Sequence, residues 1–402
     1  MRRNTANIVF AQMTFFILYQ LYREDMASKR VYLDNSATTR IAPEVLGEMM
    51  PYLTEEYGNP SSIHFMGDAA AKGLRIARKR VADSLGCLPS EITFTSGGTE
   101  SDNLALIGVM TAPGDEKRKR IVTTVIEHEA VLEACHELET RGFELTVLKV
   151  DKEGYLDPSV LDDAMGDDVR LVSVMAANNV VGTIQDIKEL AKVSHEHGAY
   201  FHTDAVQGYT KMKIDTKKDG IDLLSLSGHK VHAPKGIGAI YIKTGIPVHP
   251  IGFGGGQERG LRSSTENVPG IVGLGKAAEL AMSTMDEDIK MMSKLRDEII
   301  DNTLSIKGAH LNGPTGARRL CNNAHFRFDD IEKGTDTVIR LSKKGIAVSA
   351  ASACSAGSSE PSYVLSALGL SPAECLSALR ISLSRYNTED DVKYLKEVMT
   401  EL

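Results

Sequence analysis

A lysine at the end of a short apolar segment is the first residue whose chemistry stands out. The segment Ser225–Lys230 reads SLSGHK and places His229 and Lys230 directly after a run typical of a β-strand. The PKGIG motif at 234–238 predicts a turn into another strand. A lysine in a loop of small residues can approach a ligand closely and form a Schiff base with an aldehyde. For one lysine alone, an exposed loop residue is the commoner alternative.

A second residue, Asp204, favours the catalytic interpretation of Lys230 over that of an exposed loop residue. The segment Phe201–Gln207, FHTDAVQ, places this aspartate at the end of an apolar run. Enzymes that use pyridoxal phosphate (PLP) need a lysine for its aldehyde and a carboxylate beside its ring nitrogen, because the protonated nitrogen makes the ring an electron sink. Gln207 could donate a hydrogen bond to the phenolic oxygen of the ring. A helix N-cap is the alternative role for Asp204, and the two roles are compatible.

Paired glycines predict a place for a phosphate group. Residues 94–102 read FTSGGTESD, which predicts a strand that ends in Gly98 and Thr99 before a helix begins. Backbone N–H groups at a helix start favour an anion. Ser227 and His229 could supply further contacts. Helix starts of this kind are common, so this motif alone is weak evidence.

Two further polar residues follow predicted strands. His128 lies in the sequence EHEA, where an imidazole could stack on a planar ring and transfer protons. Asn179 ends the apolar run 172–177, where its amide could touch a cofactor or substrate. Each residue taken alone is more often structural.

The cysteines predict one reactive thiol. The five cysteines form no CxxC pair and are odd in number, which argues against a disulfide framework or a structural metal site and favours a reducing, cytoplasmic compartment. Cys354 lies among small residues, SACSAGSS, in a predicted flexible loop, where an exposed thiol could reach a substrate and carry sulfur outward. Cys87, Cys135 and Cys375 are expected to pack in helical regions. Cys321 has no assigned role.

Strands and helices alternate along most of the chain, which predicts an α/β fold with a mainly parallel sheet and a ligand site at the carboxyl ends of its strands. The predicted strands are Glu91–Thr95, Arg120–Val125, Glu144–Val150, Val169–Ala176, Ala199–Thr203, Leu223–Ser227 and Gly238–Ile242. The predicted helices are Ala69–Leu85, Ala130–Arg141, Pro158–Ala164, Ile187–His197 and a long connector, Val268–Leu304.

We therefore expect a large PLP-binding domain, residues 42–284, and a smaller α+β domain. The smaller domain combines residues 27–41 with 285–402 and carries the Cys354 loop. Residues 1–26 are expected to be an N-terminal extension outside the fold, and the apolar run 8–22 within it is too short to span a bilayer comfortably. A net charge of −8, with no basic run longer than the KRKR at 117–120, argues against nucleic acid as a partner.

Taken in order, these motifs resemble the cysteine desulfurases, which are fold-type I PLP enzymes that supply sulfur to iron–sulfur clusters and to tRNA thiolation. The resemblance extends from Val31 to the end of the chain. The motifs that carry it are YLDNSATT, GNPSSIH, FTSGGTESDN, EHEAV, the paired asparagines, HTDAVQ, SLSGHK, PKGIGA, GGGQERGLRSST and SACS.

The resemblance implies roles around the cofactor. Lys230 would bind PLP covalently, Asp204 would pair with the ring nitrogen, and Gln207 would contact the phenolic oxygen. His128 would stack on the ring and transfer protons. The residues implied to bind the phosphate are Gly98, Thr99, Ser227, His229 and, from the neighbouring subunit of a homodimer, Thr265.

The resemblance also implies how substrate and sulfur are handled. Asn179, Arg380 and Asn35 would hold L-cysteine, with the guanidinium on its carboxylate. Cys354 would take the sulfur as a persulfide and pass it to an acceptor protein, such as an iron–sulfur scaffold. No metal ligand set is expected, apart from any role of Cys354 in sulfur or cluster transfer.

Two positions depart from the family pattern, and other functions remain open. Val180 stands where a glutamate is usual, and Ser264 stands where a glycine is usual, so a positive φ at that site would strain the turn. A small-amino-acid aminotransferase would have no use for an exposed Cys354. A selenocysteine lyase would use it, and only substrate preference separates the two. A scaffold protein with little catalysis is the alternative outside enzymes.

Overall fold

The computed structural model describes residues 29–114, 116–350 and 360–401. A seven-stranded sheet forms its centre, in the order β2-β8-β7-β6-β5-β3-β4. The predicted N-terminal extension and Cys354 lie outside the described residues. The strands of this sheet are β2 (Ile92–Thr95), β3 (Arg120–Thr124), β4 (Glu144–Leu148), β5 (Val169–Ser173), β6 (Tyr200–Asp204), β7 (Leu223–Ser227) and β8 (Gly238–Ile242).

The sheet is mainly parallel, as the alternation of strands and helices predicts. The strands from β4 to β7 pair in parallel, and β8 runs antiparallel to both β7 and β2. Every residue of β5 and of β7 is buried. Burial on both faces explains why these strands read as short, nearly continuous apolar runs rather than as alternating patterns.

Helices cover the sheet, and several have clear end signals. Asp186 accepts a hydrogen bond from the N–H of Glu189 (3.2 Å) at one helix start. Gly86, with φ of 71°, ends another helix in the left-handed conformation. The helices of the large-sheet region are α1 (Pro43–Thr54), α2 (Phe65–Leu85), α3 (Gly98–Thr111), α4 (Glu129–Thr140), α5 (Pro158–Ala164) and α6 (Ile187–Glu196).

The long connecting helix α7, Val268–Leu304, contributes to two hydrophobic cores. It begins at Asn267, whose side chain accepts a hydrogen bond from the N–H of Gly270 (3.1 Å). Its first part, to Ala278, packs in the core of the large sheet. The part from Met292 to Ile300 packs in a separate core.

The second core belongs to the C-terminal third of the chain and to residues 31–33. An antiparallel sheet of order β12-β10-β9 lies there, and β1 pairs in parallel with β11. The elements are β1 (Val31–Tyr32), β9 (Ala309–Leu311), β10 (Asn323–Phe328), β11 (Ile346–Ala347), β12 (Leu379–Ser382), α8 (Gly334–Lys343), α9 (Tyr363–Ala367), α10 (Pro372–Leu376) and α11 (Glu389–Met399). Across the described ranges, every helix is too short or too polar to cross a membrane.

Candidate active site

Most of the predicted site residues line one cavity, of about 240 Å³, at the carboxyl ends of the parallel strands. They come from loops far apart in sequence, which the sheet brings to one edge. The predicted residues in the cavity wall are Gly98, Thr99, His128, Asn179, Asp204, Gln207, Ser227, His229, Lys230 and Arg380.

Lys230 lies in a single 3₁₀ turn, Gly228–Lys230, that follows β7 directly. Its Nζ donates hydrogen bonds to the backbone carbonyls of Ser36 (2.6 Å) and Ala37 (2.8 Å). The sequence motif containing Ser36 therefore meets the lysine through its main chain. These bonds hold the amine at the cavity wall.

Asp204 is the last residue of β6 and lies opposite Ser225 of β7. Its Oδ1 accepts a hydrogen bond from the N–H of Val206 (2.8 Å). Burial raises the pKa of Asp204, while His128 and Lys230 act in the opposite direction. A cation placed in this cavity would add to their effect and favour the carboxylate form.

A second buried carboxyl group, Asp102, also lines the cavity and was not singled out from the sequence. Burial, followed by the charge of Asp204, raises its pKa well above the ordinary value. Its Oδ1 lies 3.7 Å from Nε2 of the buried His202. Two neighbouring buried carboxylates repel each other, which favours the protonated form of Asp102.

His128 is the N-cap of α4. The sequence suggested a helix N-cap only for Asp204, and gave no such role to His128. Its Nδ1 accepts a hydrogen bond from the N–H of Ala130 (3.1 Å), so the neutral ring carries its proton on Nε2. The preceding residue, Glu127, is fully buried and accepts hydrogen bonds from Thr124 Oγ1 (2.6 Å) and the N–H of Met175 (3.0 Å). Burial raises the pKa of Glu127 to about 8.

The paired glycines allow a close approach between three loops. A Cβ at Gly98 would lie 2.8 Å from Cγ2 of Val206, so a larger residue would push apart the turn after Asp204 and the start of α3. His229 contributes its ring nearby, with Nδ1 3.1 Å from Thr38 Oγ1. Burial, followed by the charge of Lys230, lowers the pKa of His229 to about 4. The ring is therefore neutral at pH 7.

Arg380 joins the two cores at the cavity. Its Nη1 donates to the carbonyl of Asn179 (3.0 Å), and its Nη2 pairs with Asp34 Oδ1 (3.0 Å). Within the described residues, Arg380 Nε and Asn179 Oδ1 are buried without a hydrogen-bond partner, as is Gln207 Oε1. Such orphaned polar atoms beside a cavity fit a polar ligand that would complete their bonding.

Two predicted residues lie away from the cavity wall. The Asn35 amide donates to the carbonyls of Ser382 (2.9 Å) and Tyr32 (3.3 Å), so it ties the 34–38 segment to β12. Thr265 is exposed on a separate loop.

The two departures from the family pattern have different surroundings. Val180 is buried in an apolar cluster that includes Met175 and Val364, so it forms part of an apolar wall of the cavity. Ser264 has φ of 114°, so the condition under which a serine would strain this turn is met.

Several wall residues gave no chemical signal in the sequence. Ser36 and Ala37 act through backbone carbonyls, which any residue type supplies. Tyr363, the first residue of α9, lines the cavity and donates from its hydroxyl to the Glu127 carbonyl (2.5 Å). A tyrosine at a helix start offers no sequence hint of this contact. Asp102 stands inside a motif quoted above, and only its burial identifies it.

Comparisons with known proteins agree with this site. The sequence matches the aminotransferase class-V family over residues 31–395. It is 50% identical over 376 residues to cysteine desulfurase IscS of Methanosarcina thermophila, covering 93% of this chain and 92% of that protein. It is 46% identical over 373 residues to a cysteine desulfurase of Trichormus azollae, with 92% of each chain covered.

Solved structures show the same relationship. A NifS-like protein superposes with a TM-score of 0.86 at 42% identity, covering 93% of this chain and 99% of that one. SspA in complex with cysteine superposes with a TM-score of 0.79 at 36% identity, covering 89% and 100%. The expected fold type I architecture is thereby confirmed. The chain belongs to the aminotransferase class-V family and, within it, to the cysteine desulfurases.

Proposed function

We propose that this PLP-dependent cysteine desulfurase converts L-cysteine to L-alanine in the cavity described above and places the released sulfur on Cys354. One observation carries the proposal: Lys230, Asp204, His128 and Arg380 converge on a single cavity in a chain half identical to a named desulfurase. When bound, PLP supplies an electron sink that stabilises the negative charge left at the α-carbon after proton removal.

The residues present fit this cofactor. Lys230 offers an amine at the wall, and Asp204 offers a buried carboxyl group for the ring nitrogen. The Nε2 group of Gln207 donates one N–H to the Ser36 carbonyl (3.0 Å), and its second N–H would contact the phenolic oxygen. His128, fixed by its cap bond to Ala130, presents its ring to the same cavity.

The phosphate group would lie at the start of α3. The N–H groups at Gly98 and Thr99 favour an anion there, and Ser227 adds a hydroxyl group. His229 is neutral, so it would donate one hydrogen bond and contribute no charge. Thr265 would complete the site from the partner subunit of a homodimer.

The substrate carboxylate would be held by Arg380 and Asn179. The Nε of Arg380 has no partner in the described structure, so the guanidinium group keeps one N–H for a carboxylate oxygen. Asn179 would donate to the carboxylate from its amide nitrogen. The ion pair with Asp34 already orients the guanidinium group. Asn35 would support this site indirectly, by holding the segment whose carbonyls contact Lys230.

Proton transfer falls to Lys230 and His128. The Lys230 amine, released from the carbonyls of Ser36 and Ala37, would take the α-proton of the substrate. His128 carries its proton on Nε2 and would exchange it with the substrate thiol. The apolar wall at Val180 would limit the entry of water on one side.

Cys354 would be the sulfur acceptor. Its thiolate attacks the substrate sulfur, a sulfur–sulfur bond forms, and the bond from that sulfur to the β-carbon breaks. The bonding electrons stay with the carbon fragment, which takes up a proton and leaves as alanine. Cys354 is then a persulfide that can pass its outer sulfur to an acceptor protein such as an iron–sulfur scaffold.

A second copy of the chain is the proposed partner in a homodimer. Large apolar side chains are exposed at Tyr57, Ile63, Phe65 and Phe253, with exposures of 73% or more. A contiguous group of such side chains on a surface is typical of an interface. Phe253 lies in the loop region that leads to Thr265, which agrees with a shared phosphate site.

We also propose the predicted division into a large domain, 42–284, and a small domain of 27–41 with 285–402. The first hydrophobic core draws its residues from Ala42 to Ala278, and the second from 31–33 and from Met292 onward. The four cysteines among the described residues are buried as free thiols, which suits a reducing compartment such as the cytoplasm.

The decisive experiment is to add L-cysteine to the PLP-loaded protein without reductant and to map the added sulfur by mass spectrometry, with alanine measured in the same sample. We expect one sulfur on Cys354 and matching alanine. Cys354→Ser should abolish persulfide while leaving the cofactor absorbance intact. Absence of both products in the wild type would refute the proposal and direct attention to transamination or to a scaffold. Selenocysteine as a competing substrate separates a lyase from a desulfurase.

A further inference from the structure

Lys211 is a buried cation without a place in the proposed chemistry. It is 8% exposed, and no ion pair to it occurs within the described ranges. Burial lowers its pKa to about 8. A buried, unpaired ammonium group is costly, because its hydration is lost without a counter-charge. Such a group therefore calls for a structural or functional reason.

The ammonium group of Lys211 connects two turns that carry cofactor residues. Its Nζ donates to the carbonyl of Gln207 (3.3 Å) and to the carbonyl of Lys230 (3.2 Å). The first turn directly follows Asp204, the last residue of β6. The second follows β7. One side chain thus links the main chains of the two residues assigned to the phenolic oxygen and to the aldehyde of PLP, which are neighbouring groups on the ring.

The backbone beside this link is strained on both sides. Thr210, directly before Lys211, has φ of 65°, and His232, two residues after Lys230, has φ of 67°. Residues other than glycine adopt such angles at a free-energy cost, and they persist where surrounding contacts impose them. Thr210 and His232 also border, with Lys211 and Lys230, a small cavity of about 30 Å³, enough for about one water molecule.

We propose that Lys211 is a positioning residue that fixes the distance between the Gln207 turn and the Lys230 turn, so that both side chains meet the cofactor together. This inference rests on the proposed function, because it assigns Lys211 a task toward the same PLP site. Lys211 does not touch the cofactor in this proposal. It acts through the two carbonyl groups.

The test compares Lys211→Met, which keeps an unbranched chain but has no donor, with Lys213→Met. Lys213 is a matched control, because its side chain is 75% exposed and pairs only with the exposed Asp286 among the described residues. Both variants and the wild type are loaded with PLP. The rate of PLP loss on dilution, the absorbance maximum of the bound cofactor and the thermal denaturation of the cofactor-free proteins are measured.

We expect Lys211→Met to lose PLP about tenfold faster, as the loss of charge-assisted hydrogen bonds implies, and to shift the absorbance maximum. Lys213→Met should match the wild type in both. PLP retention and absorbance unchanged in Lys211→Met would overturn the proposal. So would faster loss with an unshifted maximum and an equally destabilised cofactor-free protein, since that pattern indicates a purely structural lysine.

If Lys211→Met does not fold, Lys211→Gln decides, because its shorter side chain keeps a donor that cannot span both carbonyls. Retention of PLP at the wild-type rate in that variant overturns the proposal, and faster loss with a shifted maximum supports it. A wild-type protein that binds no PLP or forms no alanine would instead refute the proposed function. The two failures are therefore distinguishable.

Discussion

Replacing Ser264 by glycine should stabilise this protein, which is unusual for a substitution to glycine. Ser264 has φ of 114°, a region that L-residues enter at a cost of about 1–2 kcal/mol. Glycine avoids this cost, but its greater freedom in the unfolded chain opposes folding by roughly 0.5–1 kcal/mol. The bond from the Ser264 N–H to Gln257 Oε1 (3.1 Å) is unaffected, because it uses the main chain. The expected net gain is about 0.5–1 kcal/mol.

Urea unfolding of wild type, Ser264→Gly and Ser263→Gly measures this gain. Ser263 is the matched control, because it is the adjacent serine and is not among the described residues with positive φ. Its replacement should lower the free energy of unfolding by about 0.5–1 kcal/mol. Equal destabilisation in both variants would refute the idea that the backbone at Ser264 is strained.

Three further predictions concern the site itself. Asp204→Asn should lower kcat roughly 10²-fold or more while the protein stays folded, since an amide cannot keep the ring nitrogen protonated. An unchanged steady-state rate of alanine formation would contradict this prediction. Arg380→Lys should raise the KM for L-cysteine about 10–100-fold, because the guanidinium fork is lost, and an unaltered KM would exclude a carboxylate contact. Since the pKa of Glu127 is raised to about 8, its protonated folded form favours stability below pH 4.5 and loses that advantage as pH rises toward 8. Glu127→Gln should therefore gain stability relative to wild type between pH 5 and pH 8, by up to about 1.4 kcal/mol per pH unit, and urea unfolding at both pH values that shows no such trend would contradict the assignment.

Local sequence predicted the elements of the large sheet closely. Strands such as Leu223–Ser227 and Gly238–Ile242 have the predicted bounds. Their residues are buried on both faces, so the apolar run itself marks the strand. The strand predicted as Val169–Ala176 ends earlier, at Ser173. The apolar residues that follow Ser173 are buried, and the N–H groups of Val174 and Ala176 still donate to the carbonyls of His202 (3.1 Å) and Asp204 (2.8 Å) in β6. Hydrophobicity alone therefore cannot locate the residue at which the regular strand ends.

The positions of Lys230 and Asp204 could also be predicted, for a physical reason. Residues that follow parallel strands are carried to the same edge of the sheet, whatever the order of those strands. A polar residue after an apolar run is therefore a candidate for that edge. The same reasoning found His128 and Asn179, and the cavity wall includes both.

Two kinds of contact could be identified only from the tertiary structure. These are contacts made by the main chain and contacts between residues that are distant in sequence. The bond from Lys230 Nζ to the Ser36 carbonyl joins residues 194 positions apart, and no residue type signals it. Asp102 and Lys211 read as ordinary helix and loop residues, because their burial results from packing of segments that the local pattern does not bring together. Residue types and their spacing by themselves determined the family, the cofactor and the edge of the sheet where chemistry takes place. Only the tertiary structure decided which carbonyls, buried charges and strained turns hold those residues in place around the cavity, because such contacts depend on the packing of segments that are distant in sequence.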